Sequence, residues 1–211
     1  MDKIVVIGGG GHAKVVISIL KKIAKYKLSG YVDNQDRGKI LNVDYLGNDD
    51  ILGELFNKSR VKYAVLGLGS IESSIKRREI YQKMANFDFE FPPIVSPEAI
   101  INEGVILGKG TVVMDGAVAQ SGTIIGKFAI INTNSSVDHD CEIGDFVHIA
   151  PGVTLSGGVR IGSNSFVGAG TTIIQNRKIA ENCMIGAGSV VVRDCLESGK
   201  YFGVPAKKIE S

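Results

Sequence analysis

Two of the three histidines in this chain lie nine residues apart in one short stretch, "SSVDHDCEIGDFVHIAPG", residues 135–152. His139 stands between Asp138 and Asp140, and His148 follows later in the stretch. An imidazole with an ordinary pKa of about 6.5 accepts a proton at neutral pH, and a neighbouring carboxylate holds the ring in one tautomer and stabilises the imidazolium. The pattern therefore makes this stretch a candidate site for proton-transfer chemistry.

Metal binding and simple surface exposure are the alternatives for these two histidines. His139 and His148 are of the residue type that binds zinc or iron. A catalytic zinc site usually takes three protein ligands, and the one remaining histidine, His12, lies in a separate N-terminal segment. We therefore expect no metal site.

The elements that must position these residues follow a six-residue period. From Val95 to Val191, sixteen of the seventeen positions on this period hold Ile, Leu or Val, and the other holds alanine. A second series, two residues earlier each time, holds small or β-branched residues except at Arg177. Because side chains alternate along a strand, both series face the same side. Short strands joined by glycine corners predict a parallel β-helix of hexapeptide repeats with three strands and 18 residues per coil, and about five coils in all.

This register predicts where the cysteines and histidines lie. Cys141, Cys183 and Cys195 all fall on the small inward series, so we expect them to be packing residues rather than acyl carriers. His139 falls at a corner of the coil. His148 lies between two inward residues and should point outward from a flat face.

The first ninety residues alternate strand and helix, which predicts a small parallel sheet. Gly8, Gly10 and Ala13 match a dinucleotide-binding fingerprint, and Asp33 follows twenty residues after Ala13. The length leaves room for only half of a dinucleotide fold, so a mononucleotide or nucleotide sugar fits better than NAD. The alternative is a glycine turn that only packs a strand against a helix. The stiff "FEFPPIVSP" segment divides an N-terminal domain, 1–92, from a C-terminal domain, 93–211.

Composition narrows the classes of function. A net charge of +2 argues against a dedicated nucleic-acid binder, and 44% hydrophobic with 22% charged residues is typical of a globular chain. No apolar run approaches the roughly 20 residues that cross a bilayer, and the N-terminus does not have the pattern of a signal peptide. We expect a cytoplasmic location.

Four features together resemble the bacterial sugar O- and N-acyltransferases, which include sialic acid O-acetyltransferases and UDP-4-amino-4,6-dideoxy-sugar acetyltransferases. They are "GGGGHAKVV" near the N-terminus, the hexapeptide repeats, "HDCEIGDFVHIAPG" and the closing "GVPAKKI". The resemblance covers essentially the whole chain. It implies a half-Rossmann-like α/β domain followed by a left-handed parallel β-helix, and a homotrimer that binds acetyl-CoA in the groove between neighbouring prisms.

The resemblance also implies roles for individual residues. His139 matches the general base and Asp140 the acid that raises its basicity, where nucleotide-sugar members have Glu. The residues matching acetyl-CoA contacts are His148, Gly157, Ala169 and Ala187. The residues matching substrate contacts are Gly10, Gly11, His12, Asp33, Asn34 and Gly67.

The function expected on these grounds is acetyl-CoA-dependent N-acetylation of a nucleotide-linked UDP-4-amino-dideoxy sugar, by direct transfer, in bacterial surface glycan synthesis. O-acetylation of sialic acid or a related sugar is the nearest alternative, and a noncatalytic trimeric scaffold that binds sugar nucleotides is the alternative of another class. Arg177 has two interpretations: the coil bulges outward at this residue, which we favour, or its guanidinium reaches the phosphates of CoA.

Overall fold

The computed structural model describes residues 1–70, 74–84 and 87–209. The chain divides into two compact units. Unit 1 consists of Met1–Gly69 and Ile75–Pro97, and unit 2 consists of Ser70–Ser74 and Glu98–Ser211.

Unit 1 is a small α/β layer structure. Its elements in chain order are β1 (Asp2–Ile7), α1 (Gly11–Lys22), β2 (Tyr26–Val32), β3 (Tyr45–Gly47), a short 3₁₀ helix (Asp49–Ile51), α2 (Leu52–Asn57), β4 (Tyr63–Leu66), α3 (Ile75–Met84) and β5 (Ile94–Val95). Four strands form a parallel sheet in the order β3-β2-β1-β4. This arrangement confirms the predicted parallel sheet.

The central strand and the first helix explain why this sheet forms where it does. The run Ile4–Ile7 is buried, as expected for the middle strand of a parallel sheet. α1 begins directly after the glycine turn and buries Val16, Ile17 and Leu20 on one side. The carboxyl end of β1 and the amino end of α1 therefore meet at the glycine turn, which is where such sheets bind ligands.

Unit 2 is a parallel β-helix of short strands. Its strands are β6 (Ile100–Ile101), β7 (Ile106–Leu107), β8 (Val112–Val113), β9 (Val118–Ala119), β10 (Ile124–Ile125), β11 (Ile130–Ile131), β12 (Ser136–Val137), β13 (Glu142–Ile143), β14 (His148–Ile149), β15 (Thr154–Leu155), β16 (Arg160–Ile161), β17 (Phe166–Val167), β18 (Thr172–Ile173), β19 (Lys178–Ile179), β20 (Cys183–Ile185), β21 (Val190–Val191), β22 (Gly199–Gly203) and β23 (Ala206–Ile209). The last two strands form an antiparallel hairpin.

Every third strand pairs in parallel, so the coil has three faces. Face 1 contains β6, β9, β12, β15, β18 and β21, and face 2 contains β7, β10, β13, β16 and β19. Face 3 contains β8, β11, β14, β17 and β20, extended by β22 and β23. Paired residues from β6 to β21 differ by 18, as in Ser136 with Thr154, which confirms the predicted coil length. At the end of face 3 the spacing falls to 16, where Cys183 pairs with Gly199.

The predicted inward series fills the core of the coil. From Ile125 to Val191 its members are at most 4% exposed. Ile101 and Leu107, in the first coil, are only half-buried. The end coil has a neighbouring coil on one side only, which explains their exposure.

The corners use left-handed backbone at one residue each. Asp140 (φ 58°), Asn164 and Asn176 adopt this conformation, which Asp and Asn tolerate better than most residues. The corner that joins face 1 to face 2 at residues 138–141 is called here the His139 corner. The corner that joins face 3 to face 1 at residues 168–171 is called the Ala169 corner.

The three cysteines are buried, as the register predicted: Cys141 is 0%, Cys183 2% and Cys195 3% exposed. The favoured bulge at Arg177 is wrong. The Arg177 carbonyl accepts the Arg160 N–H at 2.9 Å, so the ladder is intact there. The side chain is accommodated instead by turning to Asp194, with Nη1 3.4 Å from Oδ1.

In the part of the chain that the structure describes, no helix is long and apolar enough to cross a membrane.

Candidate active site

His139 and Asp140 form a hydrogen-bonded pair on the outside of the coil. His139 Nδ1 lies 2.8 Å from Asp140 Oδ2, and both side chains are exposed. The His139 backbone N–H donates to Asp138 Oδ1 at 2.8 Å, and the His139 carbonyl accepts from Gly158 N–H at 2.9 Å. Asp140 is one methylene shorter than the Glu of the nucleotide-sugar members, but its carboxylate still reaches the imidazole.

The pair leaves His139 in the tautomer that a general base needs. A carboxylate only accepts, so Nδ1 carries the proton and Nε2 presents its lone pair. Nε2 has no hydrogen-bond partner among the described residues. The hydrogen bond that His139 donates to Asp140 and, secondarily, the charge of Asp138 raise the pKa of His139 above its ordinary value. The site can take a proton from an incoming nucleophile and hold it.

A depression borders the pair on the side of Asp140. It has a volume of about 390 Å³ and is lined by Asp140, Gly158, Arg160, Asn176 and Lys178. Arg160 also contacts Glu142 at 3.2 Å.

His148 points outward from a flat face as predicted, but its side chain is covered and only 7% exposed. Its ring points out of the coil from face 3, but it is covered. Nδ1 donates to the Ser70 carbonyl at 2.6 Å, and Nε2 accepts from Asn132 Nδ2 at 3.1 Å. Phe166 meets the ring edge-on, with centroids 5.2 Å apart. Both ring nitrogens are engaged within unit 2, and the contact with acetyl-CoA stays a prediction.

The other predicted acetyl-CoA residues lie at two different corners. Gly157 stands in the next coil against the His139 imidazole. Ala169 and Ala187 are exposed at the Ala169 corner, one coil apart, with the Ala169 carbonyl accepting Gly188 N–H at 2.8 Å. Six residues of face 1 separate the two corners, at most roughly 20 Å along a strand.

The predicted substrate turn in unit 1 is open to solvent at two glycines. A Cβ built on Gly10 or Gly11 would meet nothing within 4 Å. Asp33 stabilises this turn through its carboxylate. Its Oδ2 accepts a hydrogen bond from Gly9 N–H at 2.6 Å, and its Oδ1 accepts one from Gln35 N–H at 3.0 Å. Asp33 thus has a structural task that the sequence-based interpretation did not foresee.

Gly67 and His12 lie behind the glycine turn in the same unit. Gly67 is buried, and a Cβ there would lie 2.7 Å from Val6 Cγ1 and 2.9 Å from Ala13 Cβ. The close approach of the chain just after β4 to β1 and α1 therefore explains this glycine. His12 is half-buried at the start of α1. Substrate contacts by both residues stay predictions.

Two clefts flank the glycine turn. One, of about 440 Å³, is lined by Gly9, Gly10, Gly11, Lys14, Arg37, Lys39, Ile40 and Leu41. The other, of about 390 Å³, is lined by Ile7, Gly8, Val32, Asp33, Asn34, Gln35, Arg37, Asp49, Leu68, Lys76, Glu79, Ile80 and Lys83. Backbone N–H groups at a helix start, together with cations, suit phosphate.

Sequence reasoning missed the three cations Lys14, Arg37 and Lys39. Lys14 follows the glycines by one helical turn, and that spacing was a usable signal. Arg37 and Lys39 come from the loop after β2, whose path no periodicity predicts.

Across residues 1–70, 74–84 and 87–209, no three His, Cys, Asp or Glu side chains are grouped so as to hold a metal ion.

Comparison with known families matches both parts of the chain. Residues 3–84 match the PglD N-terminal domain family. Residues 122–157 and 158–193 match the bacterial transferase hexapeptide family, which comprises six repeats.

Comparison with curated proteins gives a relative that matches about half of the chain. The chain is 31% identical over 118 residues to UDP-N-acetylbacillosamine N-acetyltransferase from Bacillus subtilis (strain 168), a match that covers 54% of this chain and 52% of that protein. The chain thus spans about half the length of this curated relative.

Solved structures match over nearly their full length. The acetyltransferase domain of PglB from Neisseria gonorrhoeae FA1090, in complex with acetyl coenzyme A, is 33% identical with a TM-score of 0.91, over 98% of both chains. PerB from Caulobacter crescentus, in complex with CoA and GDP-perosamine, is 35% identical with a TM-score of 0.92, over 100% of this chain and 98% of that one.

Proposed function

Since the chain belongs to the left-handed β-helix family of sugar acetyltransferases with a PglD-type N-terminal domain, we propose that it transfers the acetyl group of acetyl-CoA to the amino group of a nucleotide-linked sugar. The observation that carries the proposal is the His139–Asp140 pair, whose Nε2 lone pair is available. A protein that served only as a scaffold would have no use for this arrangement.

The proposed reaction is a direct transfer. The sugar nitrogen attacks the thioester carbonyl and forms a C–N bond, while His139 Nε2 takes the proton that the nitrogen loses. The tetrahedral oxyanion collapses, the C–S bond breaks, and the imidazolium returns its proton to the leaving thiolate. Asp140 holds the ring in the Nδ1–H tautomer and stabilises its cationic form.

The cysteines support direct transfer over an acyl-enzyme. Burial raises the pKa of Cys141 to about 11, although this residue lies only two positions from His139. A neutral, buried thiol is a poor nucleophile because the thiolate is the reactive form.

The two clefts of unit 1 support a nucleotide-linked acceptor. Lys14, Arg37 and Lys39, with the N–H groups of the glycine turn, suit a diphosphate. Asn34 lines the adjoining cleft, where a nucleoside would lie, and Arg37 lines both clefts. The relatives named above use UDP- and GDP-linked sugars, and both belong in the test.

Homotrimer formation is part of the proposal. Because Gly157 and Ala169 lie at different corners, a neighbouring copy that brings its Ala169 corner to the His139 corner would complete a groove for acetyl-CoA between two prisms. Both substrates are cytoplasmic metabolites, so we propose a cytoplasmic enzyme whose product enters surface glycan synthesis.

The test is release of free thiol from acetyl-CoA by the purified protein. The acceptors are UDP-4-amino-4,6-dideoxy-N-acetylglucosamine, GDP-perosamine and, separately, sialic acid, with His139→Ala as the matched variant. We expect release with a nucleotide sugar and a loss of at least about 100-fold in the variant. Release with sialic acid alone would replace N- by O-transfer, and a fully active variant would overturn the assignment of His139.

A further inference from the structure

We propose that Gly157 is a positioning residue for the proposed base: its missing side chain leaves the space in which the His139 imidazole rests against Asp140. The inference rests on the proposed function for its catalytic consequence only. Its structural part concerns where one ring lies and is measurable without substrates.

The space that a side chain at position 157 would take is already filled by the imidazole. A Cβ built on Gly157 would lie 2.5 Å from His139 Nε2 and 2.6 Å from Cε1. These are the atoms at the proton-accepting end of the ring. Gly157 is itself buried, whereas the His139 side chain above it is exposed.

The backbone does not require glycine at this position. Gly158, the next residue, has a φ of +69°, which explains its own lack of a side chain. Gly157 is outside the left-handed region, so an alanine would adopt its backbone without strain. The imidazole of His139 is therefore what leaves no space for a side chain at position 157.

The nature of the obstructing atoms predicts what alanine would do. At Gly144 and Gly162 a Cβ would strike the backbone of the following coil, at Ser163 N and Glu181 N, which has nowhere to go. At Gly157 it would strike the far end of an exposed side chain that is free to rotate outward. Gly157→Ala should therefore spare the fold and displace the ring from Asp140.

The first experiment is a pH titration of the histidine ring nitrogens by NMR on the ¹⁵N-histidine-labelled protein without ligands. Three histidines make the spectrum assignable, and His139→Ala identifies the signal. In the wild type the hydrogen bond that His139 donates to Asp140 raises the pKa of His139, and the charge of Asp138 adds to it; Arg160 and Lys178 are the cations that line the depression beside Asp140. In Gly157→Ala we expect the His139 pKa to fall towards its ordinary value. An unchanged His139 titration would overturn the proposal.

The second experiment is a cycle of Gly157→Ala and His139→Ala. We expect Gly157→Ala alone to lower kcat at least about tenfold, to change the KM for the acceptor sugar less than about twofold, and to keep the melting temperature near that of the wild type. In the His139→Ala background the same substitution should not lower kcat further. An equal loss of melting temperature in both backgrounds would show a backbone clash and contradict the proposal.

Gly158→Ala is the control for an added methyl group at the neighbouring residue. It should lower the melting temperature because of its positive φ and leave the His139 titration as in the wild type. If the protein shows no transferase activity, the proposed function fails, yet the titration still decides whether Gly157 positions the ring.

Discussion

At the scale of residues, His139 and His148 differ in what their second ring nitrogen contacts. Both donate from Nδ1, one to Asp140 and the other to the Ser70 carbonyl. Nε2 of His148 is occupied by Asn132, whereas Nε2 of His139 lies over Gly157 without a hydrogen-bond partner among the described residues. Of the two, His139 alone keeps a ring nitrogen without a described hydrogen-bond partner, which is what the proposed base requires.

Sequence adjacency made the first contact predictable and the second not. His139 and Asp140 are neighbours in the chain, so their pairing needs only a corner. His148 is covered through Ser70, which lies 78 positions away, and no local pattern announces such a contact. No local pattern predicts the hydrogen bond from the Gly9 N–H to Asp33 either, since the two residues are 24 positions apart.

Asp140→Asn should shift the pH dependence of the reaction. In the proposed mechanism the neutral imidazole is the active form, and Asp140 raises the pKa of His139, so we expect wild-type activity to decline as pH falls through that raised pKa. Loss of the carboxylate lowers the pKa, which moves the acidic limb of kcat/KM to lower pH and reduces the plateau at least about tenfold. Asn also tolerates the positive φ of 58° at this position.

Glu142→Gln is the control for this prediction. It removes a negative charge from the same coil, where Glu142 pairs with Arg160 and not with the ring. Its pH profile should overlay that of the wild type. A shift towards higher pH in Asp140→Asn would contradict the role given to this carboxylate.

At the scale of elements, the coil was predictable because the six-residue period gives both the position of each strand and the residues that face inward. The α/β unit was predictable in outline for a similar reason, since strand and helix periods alternate. The loop after β2, which brings Arg37 to the glycine turn, carries no period. Its course is set by tertiary contacts such as Tyr31 Oη accepting the Arg37 N–H at 3.1 Å.

Two glycine substitutions should separate the two reasons for glycine in the coil. Gly162→Ala places a Cβ 2.4 Å from Glu181 N and should lower the free energy of unfolding by about 1–3 kcal/mol. Gly188→Asn enters an open, left-handed corner position of the type that Asn164 and Asn176 occupy, so its effect should stay within about 0.5 kcal/mol. Urea unfolding of both variants measures the difference. Equal losses would mean that crowding between coils does not explain Gly162.

At the scale of the whole molecule, the separation of the His139 corner from the Ala169 corner predicts complementation between copies. His139→Ala removes the base, and Ala187→Trp blocks the proposed acetyl-CoA path at an exposed position. If different subunits supply these residues, refolding the two inactive variants together should restore about a quarter of the sites in a cyclic trimer. Light scattering on the wild type checks the trimer itself.

Each variant refolded alone is the control and should stay inactive. Failure of the mixture to regain activity, with mixed oligomers present, would mean that one chain supplies the whole site.

The 18-residue coil also makes the site sensitive to the insertion or deletion of residues, apart from any effect of substitutions. The residue standing over the imidazole is whichever one follows His139 by one coil. A single inserted residue between positions 140 and 157 would replace Gly157 there by Ser156, and would exchange the inner and outer sides of the strand it enters. In natural variants of this stretch we therefore expect substitutions rather than changes of length. Insertions and deletions should be tolerated only in multiples of a full 18-residue coil.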